Sequence, residues 1–167
     1  MARGVTPTQY RTVAPKGTQP APSTPAPDIS LRYLLDTNIC IALINEKSPF
    51  IGTRFQKELA AGAQLFVPSV VALELWYGVA KSLHKDANAQ RVETFLAGQV
   101  SLLSFEEEDA RIAGRIRAAA QASGKPVGAF DLLIASQALR HEMTLVTANT
   151  REFGRIKNLQ WEDWTKS

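Results

Sequence analysis

Three acidic residues, Asp36, Glu74 and Asp131, occupy positions at which a carboxylate has a chemical use. Asp36 directly follows the apolar run 33–35, and such a run without polar alternation is typical of a strand buried in a parallel sheet. Because ligands bind outside the carboxyl ends of strands in open α/β sheets, Asp36 is predicted to stand at the mouth of a crevice. The alternative is that Asp36 or Thr37 only caps the next helix.

Glu74 and Asp131 lie on the apolar faces of predicted helices. The residues about one turn away on the same faces are Val70, Val71, Tyr77 and Gly78 around Glu74, and Ile134, Ala135 and Ala138 after Asp131. An ionised carboxylate on such a face is costly to bury, so it must contact water or a cation, or become neutral. The alternatives are a position at the edge of the core for Glu74 and a helix cap for Asp131.

Together the three acids predict a site for a hard divalent cation. Mg²⁺ and Mn²⁺ prefer carboxylate oxygens, and the protein usually supplies a few ligands while water and phosphate complete the shell. Mg²⁺ is the predicted cofactor, for which Mn²⁺ can substitute, and beside a phosphodiester it polarises the phosphoryl oxygen and activates water. The chain has only two histidines, His84 and His141, and no phosphate-binding glycine loop. A zinc site or a histidine-based triad is therefore not predicted.

Composition bounds the class of protein. The chain has 167 residues, of which 45% are hydrophobic and 21% charged, and these values are typical of one globular domain. A net charge of +3 is compatible with a polyanionic partner without requiring one. Cys40 is the single cysteine, so no internal disulfide is possible and a reducing compartment is expected. No stretch reaches the roughly 20 apolar residues of a membrane span, so a cytoplasmic location without membrane contact is predicted.

Residues 1–30 differ in composition from the remainder. They hold six of the nine prolines, interleaved with Ala, Thr, Ser and Gln. Such a segment buries little apolar surface and loses helix hydrogen bonds at each proline, so it is predicted to be a disordered or extended tail. It is either a dispensable extension or a tether or RNA-contacting arm. Residues 31–167 form the predicted domain.

Strand and helix patterns alternate along this domain. Strands are predicted at 33–35, 65–67, 100–104 and 143–147, with a fifth at 159–161, and helices at 39–45, 50–61, 70–82, 87–97, 106–123 and 130–141. Asp86 is the expected cap of the fourth helix, and the acids 106–109 are interpreted as ordinary first-turn residues. This order predicts an α/β fold with three layers, α/β/α, around a central parallel sheet of four to five strands.

Two further groups of side chains remain open to two interpretations. Trp76 and Tyr77 either pack in the core or stack a base. The basic residues of the C-terminal third bind a nucleic-acid backbone or simply solvate the surface: Arg140, Arg151, Arg155 and Lys157.

Four segments, in this order, carry a resemblance to a known family. They are Leu34-Leu-Asp36-Thr-Asn38, Leu73-Glu74-Leu-Trp-Tyr-Gly78, Gly128-Ala-Phe-Asp131-Leu-Leu-Ile-Ala135 and Leu145-Val-Thr-Ala-Asn149-Thr-Arg-Glu-Phe153. The series resembles the PIN-domain ribonucleases. The closing stretch 156–164, with its Glu-Asp-Trp, is similar to the VapC-type toxins of bacterial toxin–antitoxin pairs. The likeness runs from about residue 31 to the C-terminus and excludes the tail.

The resemblance implies roles for particular residues. Asp36, Glu74 and Asp131 are the expected metal-binding and catalytic acids, with Asn149 as a further catalytic residue. Secondary positions around them are Thr37, Asn38, Thr147 and Glu152. Many relatives carry a further acid in the last segment, and Asn149 stands where an Asp is often found. Glu152 is the candidate to replace that acid.

The resemblance also implies an activity and partners. The expected protein is a magnesium-dependent endoribonuclease, commonly a homodimer, held inactive by a small cognate antitoxin whose C-terminal segment occupies the acidic groove. The alternative is a non-catalytic RNA-binding or interaction module with the same PIN-like fold. A phosphatase of the haloacid-dehalogenase type is disfavoured, because its second Asp is replaced by Asn38.

Overall fold

Five strands form one parallel sheet in the computed structural model of the chain, which describes residues 31–166. The strands are β1 Arg32–Leu35, β2 Gln64–Pro68, β3 Ser101–Leu103, β4 Thr144–Val146 and β5 Trp161–Glu162. Their order across the sheet is β3-β2-β1-β4-β5, and every neighbouring pair is parallel. The predicted tail, residues 1–30, lies outside the described residues.

Seven helices connect these strands. They are α1 Thr37–Ile44, α2 Pro49–Ala60, α3 Ser69–Lys81, α4 Lys85–Leu96, α5 Glu107–Ala122, α6 Ala129–Arg140 and α7 Thr150–Phe153. The chain moves outward from β1 to β3 and then returns to β4 and β5, so right-handed crossovers place helices on both faces of the sheet. The predicted three-layer α/β/α fold is confirmed. In the described range no helix is long and apolar enough to span a bilayer.

The strands are apolar because helices cover both of their faces. Leu34 and Leu35 in β1, and Leu145 and Val146 in β4, are fully buried. A strand of this kind has no solvent-facing side, which is why the sequence shows short continuous apolar runs instead of alternation. The candidate site lies at the carboxyl ends of these two central strands, whose positions are fixed by the core.

Three predicted boundaries differ from the structure by two residues. The first helix begins at Thr37 and not at residue 39, because Asp36 is its cap. The fifth strand begins at Trp161 and not at residue 159, because Leu159 is a buried loop residue whose apolar side chain imitates a strand position. The fourth helix begins at Lys85 with His84 at its cap position, so Asp86 lies in the first turn and does not cap the helix. An acid there still favours the positive end of the helix dipole.

The site predicted from the sequence lies at the switch point of the sheet. β1 and β4 are neighbours, but the chain leaves β1 toward β2 and leaves β4 toward β5, on the opposite side. In doubly wound sheets such a reversal opens a crevice beyond the carboxyl ends of the two strands. The backbone N–H of Asp36 donates to the carbonyl of Val146 at 3.0 Å, which closes the ladder at this point.

Candidate active site

Asp36 both caps α1 and faces the crevice. Its backbone is extended, with φ −73° and ψ 159°, and its Oδ1 accepts a hydrogen bond from the backbone N–H of Thr37 at 2.7 Å. Its Oδ2 accepts from the hydroxyl of Thr147 at 2.7 Å. The helix-cap alternative is therefore correct for one oxygen, while the other oxygen points across to β4. The side chain is almost completely buried.

Glu74 is joined to Asp36 through Thr37. The hydroxyl of Thr37 donates to Oε2 of Glu74, which lies half-buried in the middle of α3. Thr37 thus bridges two acids, since its backbone N–H contacts Asp36 and its side chain contacts Glu74. This contact draws the first turn of α1 and the middle of α3 to the same end of the sheet.

Asp131 is connected to Thr147 by hydrogen bonds of Asn149, which lies in the segment after β4. The backbone N–H of Asn149 donates to Oγ1 of Thr147 at 2.9 Å, and its side-chain Nδ2 donates to Oδ2 of Asp131 at 3.2 Å. Gly128 is the cap residue of α6, so the helix-cap interpretation of Asp131 is wrong. A Cβ at position 128 would lie 3.3 Å from Oδ2 of Asp131, so glycine allows the carboxylate to pack against the backbone.

One continuous chain of hydrogen bonds therefore connects the predicted site residues. It runs through Glu74, Thr37, Asp36, Thr147, Asn149 and Asp131. Six of the eight predicted positions belong to it. Asn38 is exposed on the first turn of α1 and lies outside the chain. Glu152 is half-buried on α7 and pairs with Arg155 at 3.5 Å.

Burial and mutual repulsion make this cluster unfavourable when it is fully ionised. The pKa of Asp131 is raised to about 6 by burial and by the charges of Asp36, Glu152 and Glu74. Burial also raises the pKa of Asp36, with the charge of Glu74 acting in the same direction and the hydrogen bonds from Thr147 and Thr37 opposing it. A cation at this edge of the sheet would offset the repulsion.

The donor chemistry suits a hard cation, although the acids are not gathered into a closed metal site. Within residues 31–166, no three His, Cys, Asp or Glu side chains are arranged so that they could hold a metal ion as they stand. The three carboxylates share one sheet edge and one hydrogen-bond chain, but the prediction that they lie close enough to share one cation is not met. Carboxylate and amide oxygens are nevertheless the ligands that Mg²⁺ and Mn²⁺ prefer.

Metal-free protein should be stabilised when the charge of Asp131 is removed. Because its folded pKa of about 6 exceeds the ordinary 3.8, ionisation penalises the folded state above pH 6, and the penalty disappears as pH falls toward 4. In EDTA at pH 7.5 we expect Asp131→Asn to melt at a higher temperature than the parent. By pH 5 the difference in unfolding free energy should shrink to about half. A difference in unfolding free energy that does not change with pH would contradict the raised pKa of Asp131.

The acids at the start of α5 and the basic residues near the C-terminus are not all surface groups. Asp109 is completely buried, so its interpretation as an ordinary first-turn acid is wrong. Its Oδ2 accepts from Nη1 of Arg140 at 3.2 Å, and Nη2 of Arg140 donates to Glu106 at 2.7 Å. Arg140 is thus held by two acids, which removes it from the candidates for contact with a nucleic acid.

Three large apolar or aromatic side chains next to Glu74 in the sequence of α3 are exposed. Leu73, Trp76 and Tyr77 are 52%, 38% and 61% exposed, respectively. Core packing, the commoner interpretation for aromatic residues on a helix of this kind, is therefore wrong for Trp76 and Tyr77. An exposed apolar group of this kind beside a candidate site is typical of a surface that contacts another molecule.

Comparison with known proteins places the chain in a family. Residues 33–159 match the PIN domain. The chain is 38% identical over 135 residues to the tRNA(fMet)-specific endonuclease VapC of Shigella flexneri, covering 81% of this chain and 99% of that protein. It is 39% identical over 134 residues to ribonuclease VapC2 of Rickettsia felis, covering 80% of this chain and 98% of that protein.

A solved structure shares the fold over the same region. The VapBC2 structure from Rickettsia felis, bound to a DNA fragment from their promoter, superposes with a TM-score of 0.75 at 36% identity, covering 80% of this chain and 99% of that chain. The sequence match and the shared fold agree with the resemblance carried by the four segments. The chain belongs to the VapC-type toxin ribonucleases of the PIN-domain family.

Proposed function

We propose that this chain is a magnesium-dependent endoribonuclease that acts in the cytoplasm as the toxin of a toxin–antitoxin pair. The observation that carries the proposal is the unbroken hydrogen-bond chain from Glu74 to Asp131 across the switch point of the sheet. A structural core has no need for three acids at one edge, and their repulsion disfavours the fold. This unfavourable repulsion is explained if the acids bind a cation that the reaction uses.

The side chains of the site have separable tasks. Asp36, Glu74 and Asp131 would hold Mg²⁺, which when bound stabilises negative charge on the phosphodiester and activates water for attack. Thr147 and Thr37 orient the carboxylates of Asp36 and Glu74 through their hydroxyls. Asn149 fixes one oxygen of Asp131 by donating Nδ2 to it. Orientation of this kind is the contribution that residues around metal ligands usually make.

Cleavage of RNA by purified, antitoxin-free protein is the direct test. We expect fragments from total RNA in the presence of Mg²⁺, or of Mn²⁺ in its place, and intact RNA in EDTA. The tRNA(fMet) named for the Shigella flexneri relative is a suitable defined substrate to include. Equal fragmentation in EDTA would contradict the metal requirement.

A non-catalytic PIN-fold module is the second candidate. Two features favour it: Asn149 stands where the family resemblance leads us to expect an acid, and the described acids form no closed metal site. This candidate predicts RNA or protein binding without any cleavage. RNA that stays intact at micromolar protein with Mg²⁺, while still being bound, would establish it.

A small antitoxin and a second copy of the chain are the proposed protein partners. The exposed side chains of Leu73, Trp76 and Tyr77 beside Glu74 support a protein partner at this edge of the site. The Rickettsia felis relative was solved as VapBC2. Co-expression with the adjacent small gene should yield a complex in which RNA cleavage is suppressed. Mass measurement of the free chain should give twice 18.3 kDa for a homodimer.

Variants at Asn149 and at Glu152 should differ in how their RNA cleavage depends on the Mg²⁺ concentration. Glu152 lies on the helical turn α7, and its charge raises the pKa of Asp131, so it acts on the site from its edge. We expect Asn149→Asp to tighten Mg²⁺ binding, because it adds a charge beside Asp131. We expect Glu152→Gln to slow cleavage about threefold to tenfold, the effect of weakening one long-range charge interaction. Cleavage rates measured across a Mg²⁺ titration report both effects.

Two outcomes would contradict this assignment. Full activity in Glu152→Gln combined with none in Asn149→Ala would mean that the site uses three acids and one amide. Weaker Mg²⁺ binding in Asn149→Asp would mean that the amide donor to Asp131 matters more than an added charge. Glu93→Gln, an exposed acid of α4, is the matched control and should behave like the parent.

A further inference from the structure

A cleft of about 740 Å³ lies between the C-terminal half of α5 and the loop after α7. We call it the basic cleft, because four cationic residues line it: Arg115, Lys125, Arg155 and Lys157. Its apolar lining is aliphatic, formed by Ile116, Ala119, Ala120, Val127 and Ile156. No acidic residue of the described range lines it. The cleft therefore presents concentrated positive charge in a chain whose total net charge is only +3.

The cations of the basic cleft are almost unneutralised. Within residues 31–166 the one ion pair that they form joins Arg155 Nη1 to Glu152 at 3.5 Å. Three arginines elsewhere lie against acids at shorter distances: Arg54 with Glu58 at 2.6 Å, Arg111 with Glu107 at 2.7 Å and Arg140 with Glu106 at 2.7 Å. The contrast indicates that the basic cleft keeps its charge for an external anion.

The residues that line the basic cleft adjoin the candidate site along the chain in two places. Val127, which lines it, directly precedes the cap residue Gly128 of α6, and the first turn of that helix carries Asp131. Arg155, which also lines it, pairs with Glu152 at 3.5 Å, and the charge of Glu152 is one of those that raise the pKa of Asp131. A chain molecule lying in the basic cleft would reach the Asp131 end of the acid cluster.

We propose that the basic cleft binds the sugar–phosphate backbone of the RNA that flanks the bond to be cleaved. The inference rests on the proposed nuclease function and identifies where that substrate lies. Lysine and arginine at an aliphatic cleft contact phosphates, and the aromatic side chains on which bases most often stack are absent from the lining. Contacts of this kind are independent of sequence. They position the strand, while the acids carry out the cleavage.

Binding in the absence of cleavage tests the proposal. The dissociation constant of a fluorescent single-stranded RNA of mixed sequence is measured by anisotropy in EDTA at several salt concentrations, and a gel confirms that the RNA is intact. For the full-length double variant Lys125→Gln/Lys157→Gln we expect binding weakened about tenfold. The plot of the logarithm of the association constant against the logarithm of the salt concentration should become shallower, its slope changing by about 1.4. Each phosphate contact on single strands contributes roughly 0.7 to that slope.

The matched control carries the same loss of charge at two lysines that do not line the basic cleft. Lys57→Gln/Lys85→Gln alters exposed lysines of α2 and α4 and should bind RNA like the parent. Equal weakening in both double variants would mean that net charge alone attracts RNA, which overturns the proposal. Unchanged affinity and slope in the Lys125/Lys157 variant would overturn it as well. Poly-glutamate binding that depends on these lysines, with RNA unaffected, would assign the basic cleft to an acidic polypeptide instead.

Failure of this inference is distinguishable from failure of the proposed function. If the basic cleft is wrongly assigned, Mg²⁺-dependent cleavage persists and still requires Asp36. The affinity for RNA is then the same in the Lys125→Gln/Lys157→Gln variant as in the parent. If the nuclease function is wrong, no cleavage occurs, whatever the affinity measurements give. The cleft variant should also raise KM for cleavage more than it lowers kcat, because these lysines lie outside the acid cluster.

Discussion

Replacing Asp36 by Asn should slow RNA cleavage by about a hundredfold to a thousandfold, a loss typical of removing one electrostatic group from an active site. The carboxylate of Asp36 stands at the centre of the hydrogen-bond chain, between Thr37 and Thr147. Asn has nearly the same shape but no negative charge, so it weakens Mg²⁺ binding while leaving the geometry in place. Cleavage rates at saturating RNA, measured across a Mg²⁺ titration, report the loss.

The fold should survive this change. In Asp36→Asn the carbonyl oxygen of the new side chain can still accept from the Thr37 N–H, and its amide can donate to the hydroxyl of Thr147. Burial raises the pKa of Asp36, so the charged form disfavours folding without metal. We therefore expect a slightly higher melting temperature for Asp36→Asn in EDTA.

A matched substitution separates the site from general effects of charge. Asp86→Asn removes the charge of an exposed acid in the first turn of α4, far from β1 along the chain. It should leave both cleavage and the melting temperature close to the parent values. If Asp36→Asn cleaves RNA as fast as Asp86→Asn, Asp36 serves only as the cap of α1.

The sequence predicts which side chains meet at the switch point, because their determinants are local. The apolar run before Asp36 indicates a buried strand, and the polar residues after it indicate the turn into α1. The apolar faces around Glu74 and Asp131 follow from helical spacing alone. The four ordered segments then supply the fold through the resemblance, including the roles expected of Thr147 and Asn149.

Features that depend on distant partners are not predictable in this way. Asp109 and Glu108 look alike in sequence, yet Asp109 is buried because Arg140, 31 residues later, reaches it. Trp76 and Tyr77 are residue types that usually pack in the core, but in α3 their side chains are exposed. The basic cleft is likewise invisible, since it combines side chains of α5 with those of the loop after α7. Helical spacing gives no information on which face finds a neighbour.

The buried ion pair of Asp109 also connects stability to the site. Arg140 is the last residue of α6, and Asp131 lies in the first turn of the same helix. Contact with Asp109 therefore fixes one end of α6 against α5, while the other end presents Asp131 to Asn149. The helix that carries the candidate site residue Asp131 is thus anchored to α5 at its opposite end.

Asp109→Ala should lower the free energy of unfolding by about 2–3 kcal/mol. About 1 kcal/mol comes from the capping box, in which Asp109 accepts from the backbone N–H of Glu106 at 2.8 Å. About 1.5 kcal/mol comes from the charge-assisted hydrogen bond to Arg140. Urea denaturation measures the sum. Asp86→Ala, in the first turn of α4 and exposed, is the control and should lose less than about 0.5 kcal/mol.

Asp109→Asn separates the two contributions. The amide keeps the size of the side chain and a carbonyl oxygen for the N–H of Glu106, but it loses the charge that faces Arg140. We expect a loss between those of the control and of Asp109→Ala. A loss in Asp109→Ala no larger than that in Asp86→Ala would show that the contact of Asp109 with Arg140 contributes nothing to stability. In that case the attachment of α6 to α5 depends on apolar packing alone.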